Sequence, residues 1–397
     1  LKPCWLWTKL RATPPRASAP QKRLEAPAAQ IETGAGVMTD LIRSILAFIV
    51  VLGPLVFFHE LGHFLAARAR GVVVEAFSIG FGPALLSWKA KSGTVWKLSA
   101  LPLGGYVKMQ GWGEEENQAA PIPGSFGGAS LASKAMIVAA GPVANLLLAF
   151  VLFIGLFAWV GQMQVLPVLS RITPGSPAAA GGLLAGDRIV TAEGKPIKYF
   201  QDLQRIIESN PDTALDLTVN RGGNVLQEQV RTGRKDAGGA EIGFLGVEGD
   251  QETMQHYSLP MAVGAAGMET WNVTTATLAG LWNLAVHHTG VQDLGGPIRI
   301  AQLSGKVASL GAASLISFIA MLSINLGLVN LVPIPILDGG HLLFYAGEAV
   351  YGKPVPRKAQ EIGLRLGFAL LLTLFAFTTF NDLTQMGAIH WVTHLLG

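Results

Sequence analysis

The apolar run from Leu41 to Phe58 does not close on a polar loop; it passes directly into His59-Glu60-Leu61-Gly62-His63. A run of that length is the signature of a membrane-spanning helix, because lipid leaves backbone groups no partner but the helix itself. On a helix, positions i and i+4 share a face, so both imidazoles can bind one Zn²⁺ while Glu60 between them can take a proton from water. Two histidines and a carboxylate at a helix end also fit a simple polar cap. Ionisable groups beside a membrane span are costly, however, and usually functional.

A catalytic zinc takes three protein ligands, and the histidines supply two. Asn330-Leu331-Val332-Pro333-Ile334-Pro335-Ile336-Leu337-Asp338-Gly339 closes another long apolar stretch with a single carboxylate, which makes Asp338 the candidate for the third. Its alternatives are Glu75, in a strand-like stretch, and Glu114-Glu115-Glu116, in a polar loop. Asp338 is enclosed by apolar sequence and has the greater need of a partner. A Leu-Asp-Gly-Gly turn would account for the same residues on backbone grounds alone. Cys4 is the only cysteine, which excludes an intrachain disulfide and a thiolate-rich metal site. Among other metal-capable residues, His341 is a candidate neighbour of the site. His287 and His288 carry no motif, and His390 with His394 repeats the i, i+4 spacing without a glutamate.

The chain reads as a polytopic α-helical membrane protein with four transmembrane helices, a membrane-associated β-hairpin or small sheet and one inserted PDZ-like domain. The spans are expected at Leu41–Phe58, Ala135–Val160, Gly311–Leu337 and Leu366–Phe380. In the second, Gly141-Pro142 and Asn145 suit close packing on the first span and an amide hydrogen bond across it. In the third, Pro333 and Pro335 should break the helix just before Asp338. Val72–Met109 alternates as strands do, around a Lys91-Ser92-Gly93-Thr94 turn. Residues 165–248, with Pro174-Gly175-Ser176-Pro177-Ala178 leading into Gly186-Asp187-Arg188-Ile189, a helix at Phe200–Ile207 and a strand at Leu215–Val219, resemble a PDZ domain of the bacterial protease type, and residues 249–310 read as a connecting segment. Residues 38–161 hold the first two spans and 311–397 the last two. The basic, Pro/Ala-rich stretch 1–37 lacks periodicity and reads as a disordered tail upstream of a start at Met38.

Half of the 397 residues are apolar and 14% are charged, too greasy for a soluble enzyme. The net charge of +3 does not indicate a nucleic-acid partner, since the basic residues form no stripe. Arg68, Arg70, Lys89, Lys91, Lys97 and Lys108 lie in the loop after span one, and Lys353, Arg357 and Lys358 in that after span three. The positive-inside rule puts both loops, and with them the metal motif, on the cytoplasmic side, and the PDZ-like domain on the other.

His-Glu-Leu-Gly-His in the first span, Gly141-Pro142-x-x-Asn145 in the second, the PDZ insertion and Asn330 to Gly339 resemble, in order from Met38 to about Met386, the site-2 protease family of intramembrane metalloproteases. The resemblance implies zinc on His59, His63 and Asp338, with Glu60 as general base. It implies a β region inserted beside the metal and a bacterial inner-membrane location, with the PDZ-like domain in the periplasm. The substrates it implies are single-span proteins, of the anti-sigma-factor or remnant-signal-peptide kind, already trimmed by a site-1-type protease. One PDZ-like domain departs from the tandem pair of the enterobacterial pattern. Asn330, beside Pro333 and Pro335, is the candidate for binding substrate backbone freed by helix unwinding. Two other classes fit parts of the sequence: a membrane PDZ scaffold with an inert metal motif, and a zinc transporter, which would need ligands at several depths.

Overall fold

The computed structural model describes residues 34–112, 122–236, 241–287 and 295–385. The Glu114–Glu116 run, His288, His390, His394 and residues 1–33 lie outside the described residues.

Helix α1 (Gly34–Ala69) carries the first span and the whole metal motif without interruption. Gly34–Val37, read from sequence as tail, are its opening residues; extending an existing helix adds a hydrogen bond per residue fixed, so the span propagates backward. After it come β1 (Val74–Lys89) and β2 (Val95–Met109). Both strands bend at glycines with positive φ, Gly80 (+88°) and Gly82 (+86°) in β1 and Gly104 (+95°) in β2. The hairpin therefore doubles back. Ala76–Ile79 lie opposite Lys108–Gly105 on one side and Val95–Leu98 on the other, while Ala84–Lys89 flank Ser99–Val95. Four lanes result, with residues 105–109 along one edge. Helix α2 (Leu131–Trp159) is the second long apolar helix.

The chain then forms a second compact unit, Leu156–Ala262, wider than the stretch 165–248 read from sequence. It contains β3 (Gln162–Val165), β4 (Arg171–Ile172), α3 (Pro177–Ala180), β5 (Arg188–Ala192), β6 (Lys195–Pro196), α4 (Phe200–Glu208), β7 (Ala214–Arg221), β8 (Asn224–Arg231), β9 (Gly233–Asp236), β10 (Glu241–Phe244), β11 (Val247–Glu248) and β12 (Glu252–Gln255). The order β6-β5-β7-β8 makes its main sheet, and β3 pairs with β12 to close the unit's two chain ends together. Leu169, Ile189, Leu203, Leu215, Leu217 and Val219 fill its core, the strand residues alternating with solvent-facing ones as period-2 patterning demands.

The stretch 249–310, expected as a connection, is largely helical: α5 (Leu259–His287) and α6 (Pro297–Ser309). Thr, Gly and Asn interrupt α5, so neither propensity nor a continuous apolar run announces it. Helix α7 (Ala312–Asn330) ends at Asn330, not just before Asp338 as expected. The residues preceding Pro333 and Pro335 are pushed out of helical geometry, so the break starts upstream of both prolines. Asp338 instead begins a new helix, α8 (Asp338–Tyr351), and α9 (Arg357–Gln385) completes the described chain. Four of these helices, α1, α2, α7 and α9, are long and apolar enough to cross a membrane; α7, the shortest, measures about 28 Å against a hydrocarbon core of about 30 Å.

Candidate metal centre

Along α1 the motif lies between two apolar clusters. Val51 and Leu55 pack with Leu148 of α2, Val307 of α6 and Phe318 and Ile319 of α7. One to two turns past the motif, Ala67 packs with Val72, Val74, Met109, Phe126 and Ile137. The polar groups between are thus held in a rigid, low-dielectric frame.

Two glycines allow α1 and α2 to approach there. A Cβ on Gly62 would strike the Ala140 carbonyl and come within 2.7 Å of Ala144 Cβ; a Cβ on Gly141 would strike the His63 ring and come within 2.9 Å of His59 Cε1. Each glycine clears a path for the other helix, which is the close contact the small residues of the second span suggested.

Three ligand-type atoms converge in this frame. His59 Nε2 and His63 Nε2 are 3.3 Å apart, and Asp338 Oδ2 is 3.2 Å from the first and 3.5 Å from the second. Ligand atoms on a tetrahedral zinc, at about 2.0–2.1 Å from the ion, stand about 3.3 Å from one another. Asp338 Oδ2 is buried and makes no hydrogen bond among the described residues, although it faces both imidazoles. A carboxylate oxygen left in that condition is a site for a cation. These three residues form the only such cluster among the described residues.

The rest of the shell prepares the ligands. His63 Nδ1 donates to the Ile137 carbonyl at 2.9 Å, which puts the ring's proton on Nδ1 and leaves the Nε2 lone pair for metal. Asn145, fully buried on α2, has an amide nitrogen 3.3 Å from His59 Nδ1, and the Asn330 amide nitrogen is 3.4 Å from His59 Nε2. Glu60 lies against the sheet: a Cβ on Gly105 would come within 3.0 Å of Glu60 Cγ. The edge lane 105–109 therefore passes directly beside the candidate base.

Other residues singled out from sequence lie elsewhere. Glu75 is paired with Lys108, 33 residues further along the chain, at 2.8 Å, and is no part of the cluster among the described residues. His341 packs edge-on to Trp112, its ring 5.8 Å away, and is not one of the converging groups. Pro333 is exposed, while a Cβ added to Gly363 or Gly367 of α9 would come within 3.4–3.5 Å of Pro335.

A helical membrane frame holding a buried His-His-Asp cluster with a glutamate beside it defines the class of membrane-embedded zinc metalloproteases. The family model for peptidase family M50 matches residues 47–374, and the chain belongs to that family. It is 40% identical over 370 residues to a Rhizobium meliloti protein named provisionally as a zinc metalloprotease, covering 88% of this chain and 98% of the relative. It is 32% identical to the zinc metalloprotease RasP of Geobacillus kaustophilus (88% and 99% covered) and 30% identical to the regulator of sigma-E protease RseP of Escherichia coli (88% and 100%). Zinc is thus the metal, and peptide-bond hydrolysis within an integral membrane protein the activity. Among solved structures, the PDZ domain of an SdrC-like protein from Listeria innocua shares 19% identity and covers 23% of this chain at a TM-score of 0.20, too slight a likeness to carry an argument.

Proposed function

We propose that this protein is a site-2-type protease of the bacterial inner membrane that cuts single-span membrane proteins, of the anti-sigma-factor or remnant-signal-peptide kind, after a site-1-type protease has trimmed them. In this reading His59, His63 and Asp338 hold the zinc and Glu60 is the general base. The observation that carries it is the convergence of three ligand-type atoms at 3.2–3.5 Å on a helix long and apolar enough to cross a membrane. Bound there, Zn²⁺ would acidify water and polarise the scissile carbonyl. Glu60 takes the proton released from water and can pass it to the leaving amine. The carbonyls of a helical substrate are hidden in its own hydrogen bonds, so the substrate must unwind. The edge lane 105–109 offers backbone partners to the extended segment beside Glu60, and the Asn330 amide can donate to a freed carbonyl. Pro333 and Pro335 keep the 331–337 stretch open for that contact.

The charges of the loops argue for a cytoplasmic-side active site and a periplasmic PDZ-like unit. That unit would restrict entry and do no chemistry. Excising residues 165–248 with a Gly/Ser bridge should then preserve cleavage of a trimmed substrate and raise cleavage of an untrimmed one.

The decisive test is metal analysis with cleavage of a model transmembrane substrate, comparing the parent with Glu60→Gln. The variant should retain its zinc and lose turnover by about 10²–10⁴-fold or more; full activity in it would remove the mechanism.

A further inference from the structure

Asn145 has no place in the chemistry above, yet it is fully buried against a candidate ligand. Its amide nitrogen faces His59 Nδ1 at 3.3 Å, while its carbonyl oxygen is buried with no hydrogen-bond partner among the described residues. That pairing fails on both atoms if His59 binds metal through Nε2. A neutral imidazole whose Nε2 lone pair is committed carries its proton on Nδ1, and an amide NH₂ cannot accept it. The oxygen and nitrogen of an amide are interchangeable by a half-turn about one bond, with almost no change in shape. The turn gives Oδ1 a donor and Nδ1–H an acceptor, and moves the NH₂ to the position Oδ1 held.

We infer that Asn145 is a positioning residue for the metal, accepting the His59 Nδ1 proton on Oδ1 and thereby committing Nε2 to zinc. The inference rests on the ligand reading of His59 given above. The opposite histidine has the same device, with the Ile137 carbonyl in the acceptor's place. Ile137, Gly141 and Asn145 are spaced four residues apart, so one stripe of α2 provides an acceptor for each ring and, between them, the gap into which the His63 ring fits. Asn145 is itself held from the far side, since Ser323 of α7 donates to its backbone carbonyl at 2.8 Å. That fixes the α2 backbone and leaves the amide free to turn.

The test compares Asn145→Leu, which keeps the branched heavy-atom shape and removes the acceptor, with Asn145→Asp, which keeps an acceptor. Zinc affinity is measured by chelator competition on the full-length protein in detergent, the ligand field by the visible spectrum of the Co²⁺ form, and folding by thermal melting. Loss of a partner that orients a metal-bound histidine weakens metal about 10–100-fold. Asn145→Leu should show that loss and an altered Co²⁺ spectrum, and Asn145→Asp should restore affinity to within a few-fold of the parent. Parent-like zinc affinity in a folded Asn145→Leu overturns the inference. So does a folded Asn145→Asp variant whose zinc affinity falls about 10-fold or more below the parent's, and this arm decides alone if Asn145→Leu does not fold. His59→Ala serves as the separate control: if it binds zinc as the parent does, the ligand reading fails and not the role of Asn145.

Discussion

Two aspartates with buried carboxylate oxygens, one in each unit of the chain, show how differently the same side chain can be used. Asp187 in the second unit is saturated: Arg221 donates to both its oxygens at 2.8 Å, and the Leu184 N–H donates to Oδ2 at 2.8 Å. Burial alone would raise its pKa, but the Arg221 and Leu184 hydrogen bonds outweigh that and hold the carboxyl below its usual range. Asp338, in the membrane unit, keeps an oxygen that no hydrogen bond claims among the described residues, facing two imidazoles. The first arrangement is complete as it stands and serves stability. The second leaves an oxygen open to a cation, which is the role proposed for it.

The comparison breaks most visibly at Asp338. Asp338→Asn should weaken zinc by more than about 100-fold, beyond the loss expected of an outer partner, and abolish turnover, while leaving the metal-free melting temperature near the parent's. A large fall in that temperature would make Asp338 a structural residue like Asp187. Next in size, Gly141→Ala should cost about 10–100-fold in zinc affinity by pushing the His63 ring off its place, read by the same chelator competition. Unchanged affinity would show the rings free to move.

At Asp187 the effect should invert. Asp187→Asn should leave zinc and Glu60-dependent turnover intact and cost the second unit about 1.5–3 kcal/mol, read as earlier loss of hydrogen-exchange protection in β5 and β7. The pH dependence sharpens this. Because the folded pKa is depressed, the stabilisation is fully present above the unfolded value of about 3.9 and is lost as pH falls through the folded one. The gap in stability between parent and Asp187→Asn should therefore be constant from pH 5 to 8 and narrow below about pH 4; a gap that narrows near neutrality would point to another group. The smallest effect is expected at the exposed Glu75–Lys108 pair, where Lys108→Met should change stability by less than about 1 kcal/mol and zinc not at all.

Much of the centre could be read without coordinates. The i, i+4 spacing of His59 and His63 is a property of any helix, and the isolation of Asp338 among apolar residues marked it before its position was known. The break around Pro333 and Pro335 was legible for the same local reason, although its onset at Asn330 was not. Glu75 was set aside for Asp338 on sequence grounds, but its actual partner, Lys108, lies 33 residues on and was brought to it only by the hairpin. Helices α5 and α6 were missed because their stability comes from packing: Val307 and Leu303 of α6 bury against α1 and α7, which no window of sequence contains.

The sequence by itself determined the chemistry and the medium: two imidazoles and a glutamate on one helix, a lone downstream carboxylate, and spans long enough for lipid, all set by local spacing and composition. The tertiary structure decided what depends on residues far apart in the chain. It brought Asp338 to within 3.5 Å of both histidines, doubled the hairpin so that Gly105 lies beside Glu60, and set Ile137 and Asn145 against the ring nitrogens. Local sequence fixes which way a side chain leaves its own helix, but how closely two helices approach is fixed by the smallest residues where they cross, here Gly62 and Gly141.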